Sequence, residues 1–158
     1  MNAYVLGAPG SGKSALIDPL RKRIPGHLVL DWDFLMEPTG QLIGRSIRAD
    51  RSAWPFYDAL VKAVIEQLDD VPFVLLEVRT PDELPGWPIG ACVLLDCADD
   101  VRVTRLGERL CGSDLAEAVE DGRSYRKLGL PVVDSTSQTI DEVAEELASM
   151  IGHLDCRR

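Results

Sequence analysis

The sequence predicts an α/β domain: a five-stranded parallel sheet with helices covering both faces. Two observations carry this. Five short apolar runs, residues 3–6, 27–30, 73–76, 91–95 and 130–133, lack the polar alternation of a half-exposed sheet. Longer stretches of helical spacing separate them, at 13–23, 38–48, 55–68, 100–110, 114–128 and 140–151, which is the rhythm of βα repeats. The 158 residues suit one domain with no linker or repeat, read as 1–158 with a small lid at about 111–126.

Local signals support the elements in turn. The first apolar run ends at Gly7. Pro19 lies inside the first helical stretch and is expected to kink or shorten it. Pro55 suits a first helical position, and Asp99 is read as the N-cap of the stretch after it. Thr139 with Glu142 forms a capping-box signature ahead of the last helix.

Composition narrows the function. Hydrophobic residues make up 46% and charged residues 27%, an ordinary globular balance. A net charge of −9 argues against nucleic acid and anionic membrane as partners. The basic residues are nonetheless clustered, at 21–23, at 45, 48 and 51, and from 102 to 127, which points to a small anion. No apolar stretch is long enough to span a membrane, and the run at 3–6 is too short for a secretory leader. Cys92, Cys97, Cys111 and Cys156 form no CxxC pair, so reduced thiols and a cytoplasmic setting are expected.

One motif decides the class. Gly7-Ala8-Pro9-Gly10-Ser11-Gly12-Lys13-Ser14 matches G-x-x-x-x-G-K-[ST] in full, directly after a strand and before a helix. Glycines let successive N–H groups turn inward around phosphate oxygens, and the helix N-terminus adds positive potential. In this motif Lys13 reaches the β- and γ-phosphates and the Ser14 hydroxyl binds Mg²⁺. The chain is therefore read as a P-loop nucleotide-binding domain using ATP and Mg²⁺. It has no Asn/Thr-Lys-x-Asp guanine-reading motif and no apolar strand ending in Asp-Glu, which sets aside GTPases and ATP-driven motors.

Further stretches resemble small-molecule kinases over nearly the whole chain. Asp31-Trp32-Asp33 is similar to the D-x-D of shikimate and gluconate kinases, and Asp50-Arg51-Ser52-Ala53-Trp54 to the D-R-x-x-W of gluconate-kinase-like enzymes. Leu95-Asp96-Cys97 followed by Arg105 and Arg109 resembles the strand and lid entry of adenylate kinase. Arg123-Ser124-Tyr125-Arg126 and Pro131 to Thr136 resemble the lid exit and last strand of shikimate kinase. The resemblance implies a three-layer α/β/α fold with strand order 2-3-1-4-5. It also implies Asp31 in the Mg²⁺ shell, Asp33 as general base, Arg105 and Arg109 on the donor phosphates, and the loop with Ser135 and Thr136 beside the adenine. Two residues apart on a strand, both carboxylates are expected to share one side.

The sequence departs from those relatives too. Glu77-Val78-Arg79 stands where shikimate kinase has a glycine triplet, Phe34 and Leu35 replace the histidine that follows the D-x-D in gluconate kinase, and only a short stretch separates Arg109 from Arg123. The acceptor is expected to be neither shikimate nor gluconate.

Alternatives stand beside these roles. Asp33 could cap the following turn. Glu77 could support Mg²⁺, act as base, or be a solvated strand end. Arg45, Arg48 and Arg51, spaced by three on an expected helix, could hold an anionic group of the acceptor or face solvent. Arg48, Arg51 and Arg123 are taken with Asp33 as the acceptor-binding set. The expected function is ATP- and Mg²⁺-dependent phosphorylation of a hydroxyl or phosphate on a small metabolite, nucleoside or antibiotic. The alternative is a regulatory protein that binds nucleotide without an acceptor.

Overall fold

The computed structural model describes residues 1–68, 71–107 and 109–155. Five parallel strands, β1 (Ala3–Leu6), β2 (Leu28–Asp31), β3 (Phe73–Glu77), β4 (Ala91–Asp96) and β5 (Val132–Asp134), form one sheet in the order β2-β3-β1-β4-β5. Six α-helices, α1 (Ile17–Arg23), α2 (Met36–Ile43), α3 (Trp54–Glu66), α4 (Asp99–Leu106), α5 (Gly112–Arg126) and α6 (Ile140–Asp155), complete the layers.

Strand alternation sorts the core into two halves. Ala3 and Val5, Val74 and Leu76, and Val93 and Leu95 face Leu20 of α1 and Val143, Leu147 and Ile151 of α6. Tyr4 and Leu6, Phe73 and Leu75, and Leu94 face the other way, onto Tyr57, Val61 and Ile65 of α3 and Tyr125 of α5. β1 lies between β3 and β4, so the chain leaves the sheet at Leu6 in its middle. The crevice at the strand ends opens there, where ligands bind in sheets of this kind.

Three helical expectations change. The stretch from Lys13 begins as a 3₁₀ turn (Lys13–Leu16), and α1 starts only at Ile17. Pro19 thus falls in the first α turn, where its missing N–H costs nothing. α2 stops at Ile43 because Gly44, at φ 70°, takes the left-handed cap and donates to the Gly40 carbonyl. Arg45 and Arg48 consequently lie beyond the helix and Arg51 opens a separate 3₁₀ turn (Arg51–Ala53), so the three arginines share no helical stripe. Asp99 is the first residue of α4, and Ala98 holds the cap position. The capping box at Thr139 does form: Glu142 accepts from the Thr139 N–H at 2.8 Å, and Thr139 Oγ1 accepts from the Glu142 N–H at 3.3 Å. Cys92, Cys97 and Cys111 are free thiols, and Cys156 lies outside the described residues.

α5 packs closely on α4 through a glycine. A Cβ at Gly122 would sit 2.8 Å from Nη2 of the buried Arg102. Replacing glycine with alanine inside a helix ordinarily gains up to about 1 kcal/mol. Here Gly122→Ala should instead destabilise by about 1–3 kcal/mol, the usual cost of overpacking. Gly152 in α6, with nothing within 4 Å of its Cβ position, is the control and should show the ordinary gain. Urea unfolding of the two variants reads the difference, and a stabilised Gly122→Ala would refute the tight seat.

Candidate active site

The loop from Gly7 to Gly12 brings Pro9 to Gly12 to the wall of the crevice, and its Ser11 N–H closes a turn onto the Ala8 carbonyl at 3.3 Å. Gly10 (φ 81°) and Gly12 (φ 100°) occupy the left-handed region that other residues avoid. Turning N–H groups inward points carbonyls outward, and each outward oxygen needs a donor. The Pro9 carbonyl accepts from Arg102 Nη1 at 2.5 Å. The Gly10 carbonyl accepts from Arg105 Nη1 at 3.3 Å and Cys97 Sγ at 3.6 Å, and the Ser11 carbonyl from Ser135 Oγ at 2.9 Å. Lys13 Nζ donates to the Gly7 carbonyl at 2.5 Å and the Ala8 carbonyl at 3.2 Å. Burial brings the Lys13 ammonium down to about 8, against the opposing pull of Asp31. Phosphate oxygens beside it favour its charged form.

Ser14 Oγ donates to Asp31 Oδ2 at 2.8 Å, so the hydroxyl that follows Lys13 and the carboxylate that ends β2 meet at the loop's edge. Asp31 Oδ1 accepts from the Asp33 N–H at 3.1 Å and so caps a 3₁₀ turn (Trp32–Leu35). β2 therefore ends before Asp33, and the expected strand alternation does not place it. The capped turn does. Asp33 Oδ2 is paired with Arg48 Nη2 at 2.9 Å.

A cavity of ≈ 980 Å³ joins these groups, running from the loop and Lys13 past Asp31 to Asp33, Arg48 and Arg51. Arg105, Arg109 and Ser135 line its other side. Arg105 bonds Ser135 through both nitrogens, Nη1 to Oγ at 2.9 Å and Nη2 to the carbonyl at 2.7 Å. α4 ends at Leu106, so Arg109 stands past the helix and shares no helical face with Arg105. It touches the Arg105 carbonyl at 3.3 Å. Arg51 stacks on Trp54, 5.4 Å from the ring centroid.

Four expected residues do not line this cavity: Gly7 and Ala8 at the start of the loop, and Arg123 and Thr136. Arg123 on α5 is paired with Asp99 at 3.0 Å and with Glu120 at 3.6 Å, away from the cavity lining. Thr136 Oγ1 accepts from the Ala98 N–H at 2.8 Å and donates to Asp134, joining two loops below the site.

Sequence reasoning passed over two clusters. Arg102 and Asp96 sit behind the loop, and the missed signal was an arginine four residues before Leu106, on the buried stripe of α4. The second cluster surrounds Glu77, opposite Leu6 across the strand pair and facing the cavity from β3. Arg79 clasps Glu77, donates to Asp58 at 2.5 Å and stacks 3.9 Å above Trp87. Glu77 is no solvated strand end, since its side chain is 1% exposed.

Burial lifts Glu77 from 4.5 to about 7, outweighing the pull of Arg79. Between these values the folded protein keeps a proton that the unfolded chain releases, so stability falls as pH rises through that window. Glu77→Gln has no proton to lose. Its melting temperature relative to the parent should climb from about pH 5 to about pH 8, reflecting on the order of 1–3 kcal/mol. A difference flat with pH would show that Glu77 titrates normally.

No protein-family model matches the sequence, and no curated protein matches it. Solved structures do match the fold. Shikimate kinase from Acinetobacter baumannii superposes with a TM-score of 0.66 at 17% identity, covering 96% of this chain and 93% of that one. The tunicamycin resistance protein of Deinococcus radiodurans gives 0.68 at 14% identity, covering 96% and 95%. A gluconokinase from Sinorhizobium meliloti 1021 gives 0.62 at 22% identity, covering 99% and 96%. In its strand order and layers, and over nearly its whole length, the chain has the fold of the P-loop small-molecule kinases.

Proposed function

We propose that this protein transfers the γ-phosphoryl group of ATP to a hydroxyl of a small molecule, with Mg²⁺ as cofactor. The observation that carries the proposal is the single cavity: the phosphate loop lines one end, and Asp33 with two arginines lines the other. A nucleotide-binding regulator needs only the first half.

The donor half supports nucleotide binding by its chemistry. Inward N–H groups and Lys13 suit phosphates. The Ser14 hydroxyl and Asp31 carboxylate are hard oxygen donors already in contact, and they suit Mg²⁺, which takes one or two protein ligands beside phosphates and water. Bound there, Mg²⁺ supplies charge neutralisation on the phosphates. Lys13, Arg105 and Arg109 add the protein's own positive charge as negative charge builds on the transferred group. Ser135 holds Arg105 in place.

In the acceptor half, Asp33 takes the proton from the acceptor hydroxyl as the oxygen attacks phosphorus. Its Oδ2 belongs to Arg48, which leaves Oδ1 for the substrate. Arg48 and Arg51 suit an anionic group on the acceptor, such as a carboxylate or phosphate. Arg123 and Thr136 have no part in this scheme. A cytoplasmic setting agrees with the need for ATP and with three free thiols. Among the described residues no helix is long and apolar enough to cross a membrane.

Lys13→Ala should abolish nucleotide binding and turnover, because no other cation replaces its point charge inside the loop. Calorimetric titration with ADP checks this, and undiminished affinity would refute the nucleotide site. Asp33→Asn keeps the shape but cannot take a proton. It should leave ATP affinity nearly unchanged and cut turnover about 10²-fold or more. Asp31→Asn should raise the Mg²⁺ concentration needed for half activity. Coupled ADP-release assays over an acceptor panel of sugars, sugar acids, nucleosides and aminoglycosides separate the two. Native turnover in Asp33→Asn would assign the carboxylate to capping alone.

A further inference from the structure

We propose that Arg102 is a positioning residue for the nucleotide, tying helix α5 to the phosphate loop through Asp96. The inference rests on the reading of the loop as a nucleotide site. Arg102 is 0% exposed, and burying a guanidinium is costly unless its arms find partners. Its Nη1 donates to the Pro9 carbonyl at 2.5 Å and its Nη2 to Asp96 Oδ1 at 2.6 Å. The other Asp96 oxygen, Oδ2, accepts from Arg126 Nε at 2.5 Å. Arg126 closes α5, donates to the Cys97 carbonyl at 2.7 Å and pairs with Asp99 at 2.9 Å. Gly122, one turn earlier, lets α5 lie directly on the Arg102 guanidinium. A continuous path therefore runs from α5 through Asp96 and Arg102 to Pro9.

The peptide plane gives this path a function beyond stability. The Pro9 carbonyl and the Gly10 N–H belong to one rigid planar unit and point in opposite directions. A donor fixed on the carbonyl thus aims the N–H into the crevice. Losing that donor frees the plane to rotate, and the N–H turns with it. Arg102 never touches the phosphate, yet it sets the direction of a group that does. Arg126 does not line the cavity and acts one step further back.

The test titrates the fluorescent nucleotides mant-ADP and mant-AMP into the parent, Arg102→Met, Arg126→Ala and the double variant. The loop grips the β-phosphate, which AMP lacks, so a misaimed N–H should weaken mant-ADP selectively. Arg102→Met should raise the mant-ADP Kd about tenfold or more, the scale of a charge-assisted hydrogen bond. Its mant-AMP Kd should stay within about twofold. Arg126→Ala should weaken mant-ADP several-fold alone and add nothing in the Arg102→Met background. Equal losses for both nucleotides would mean general loosening and overturn the proposal. So would an unchanged mant-ADP Kd in Arg102→Met, or additive effects in the double variant. A parent that binds no mant-ADP overturns the nucleotide site itself and this inference with it. Should Arg102→Met fail to fold, Arg126→Ala decides, since its side chain is 37% exposed: a loss confined to mant-ADP supports the path, and none refutes it.

Discussion

A loop that turns its N–H groups toward an anion must turn its carbonyls toward the protein. The rest of this molecule is arranged around that constraint. From Gly7 to Ser11 every carbonyl has a donor, and the donors come from different elements: Lys13 from the 3₁₀ turn that follows the loop, Arg102 and Arg105 from α4, Ser135 from just past β5. Lys13 serves two of these carbonyls, and the Ala8 carbonyl also accepts from the Ser11 N–H. Two ends of the chain far apart in sequence meet there, because β1 is the central strand and β4 and β5 follow it on one side. The strand order thus places α4 and the β5 loop behind the phosphate site, while β2 and β3 bring carboxylates to its front.

The electrostatics follow the same division. The protein is acidic overall, yet its arginines are concentrated, and many of them serve the interior. Arg102 and Arg126 meet on Asp96, and Arg79 joins Glu77 to Asp58. Of these, Arg102–Asp96 and Arg79–Glu77 are the most buried; such pairs contribute little net stability over apolar packing, and breaking one is expensive. Their value here is geometric. Asp96 and Glu77 both end strands at the crevice, where a carboxylate without a cation would repel the phosphates.

Much of this was legible in the sequence, for physical reasons that vary by residue. The strands and the phosphate loop were plain because apolar runs and a glycine-lysine pattern are local signals. The 3-6 strand, the motif and the following helix form one contiguous stretch. The error at 38–48 was local too: Gly44 is a cap signal, and the reading ran through it. Arg123 does not line the cavity because it pairs with Asp99 and Glu120, a choice its place in the sequence does not reveal. Asp33 reached the cavity by a route the sequence did not suggest, since a capped 3₁₀ turn replaces strand alternation there. Arg102 is the instructive case. Its position on the buried stripe of α4 was readable from Leu106, but its partner, the Pro9 carbonyl, is a backbone atom that no side-chain pattern announces.

That last point bears on how the site divides its labour. Arg105 looks in sequence like a phosphate clamp, and its nitrogens are bonded to the Gly10 and Ser11 carbonyls and to Ser135. The Arg109 side chain reaches the Arg105 carbonyl and lines the cavity. On the proposed kinase reading, a phosphate entering the loop would meet Arg105 already fixed by several partners, so little ordering cost would attach to its use. Arg109, standing past the end of α4, is the freer of the two, and its side chain can follow charge as it develops. One arginine is thus braced on α4, and the other stands beyond the helix end at Leu106. The point where α4 ends, between them, decides which is which.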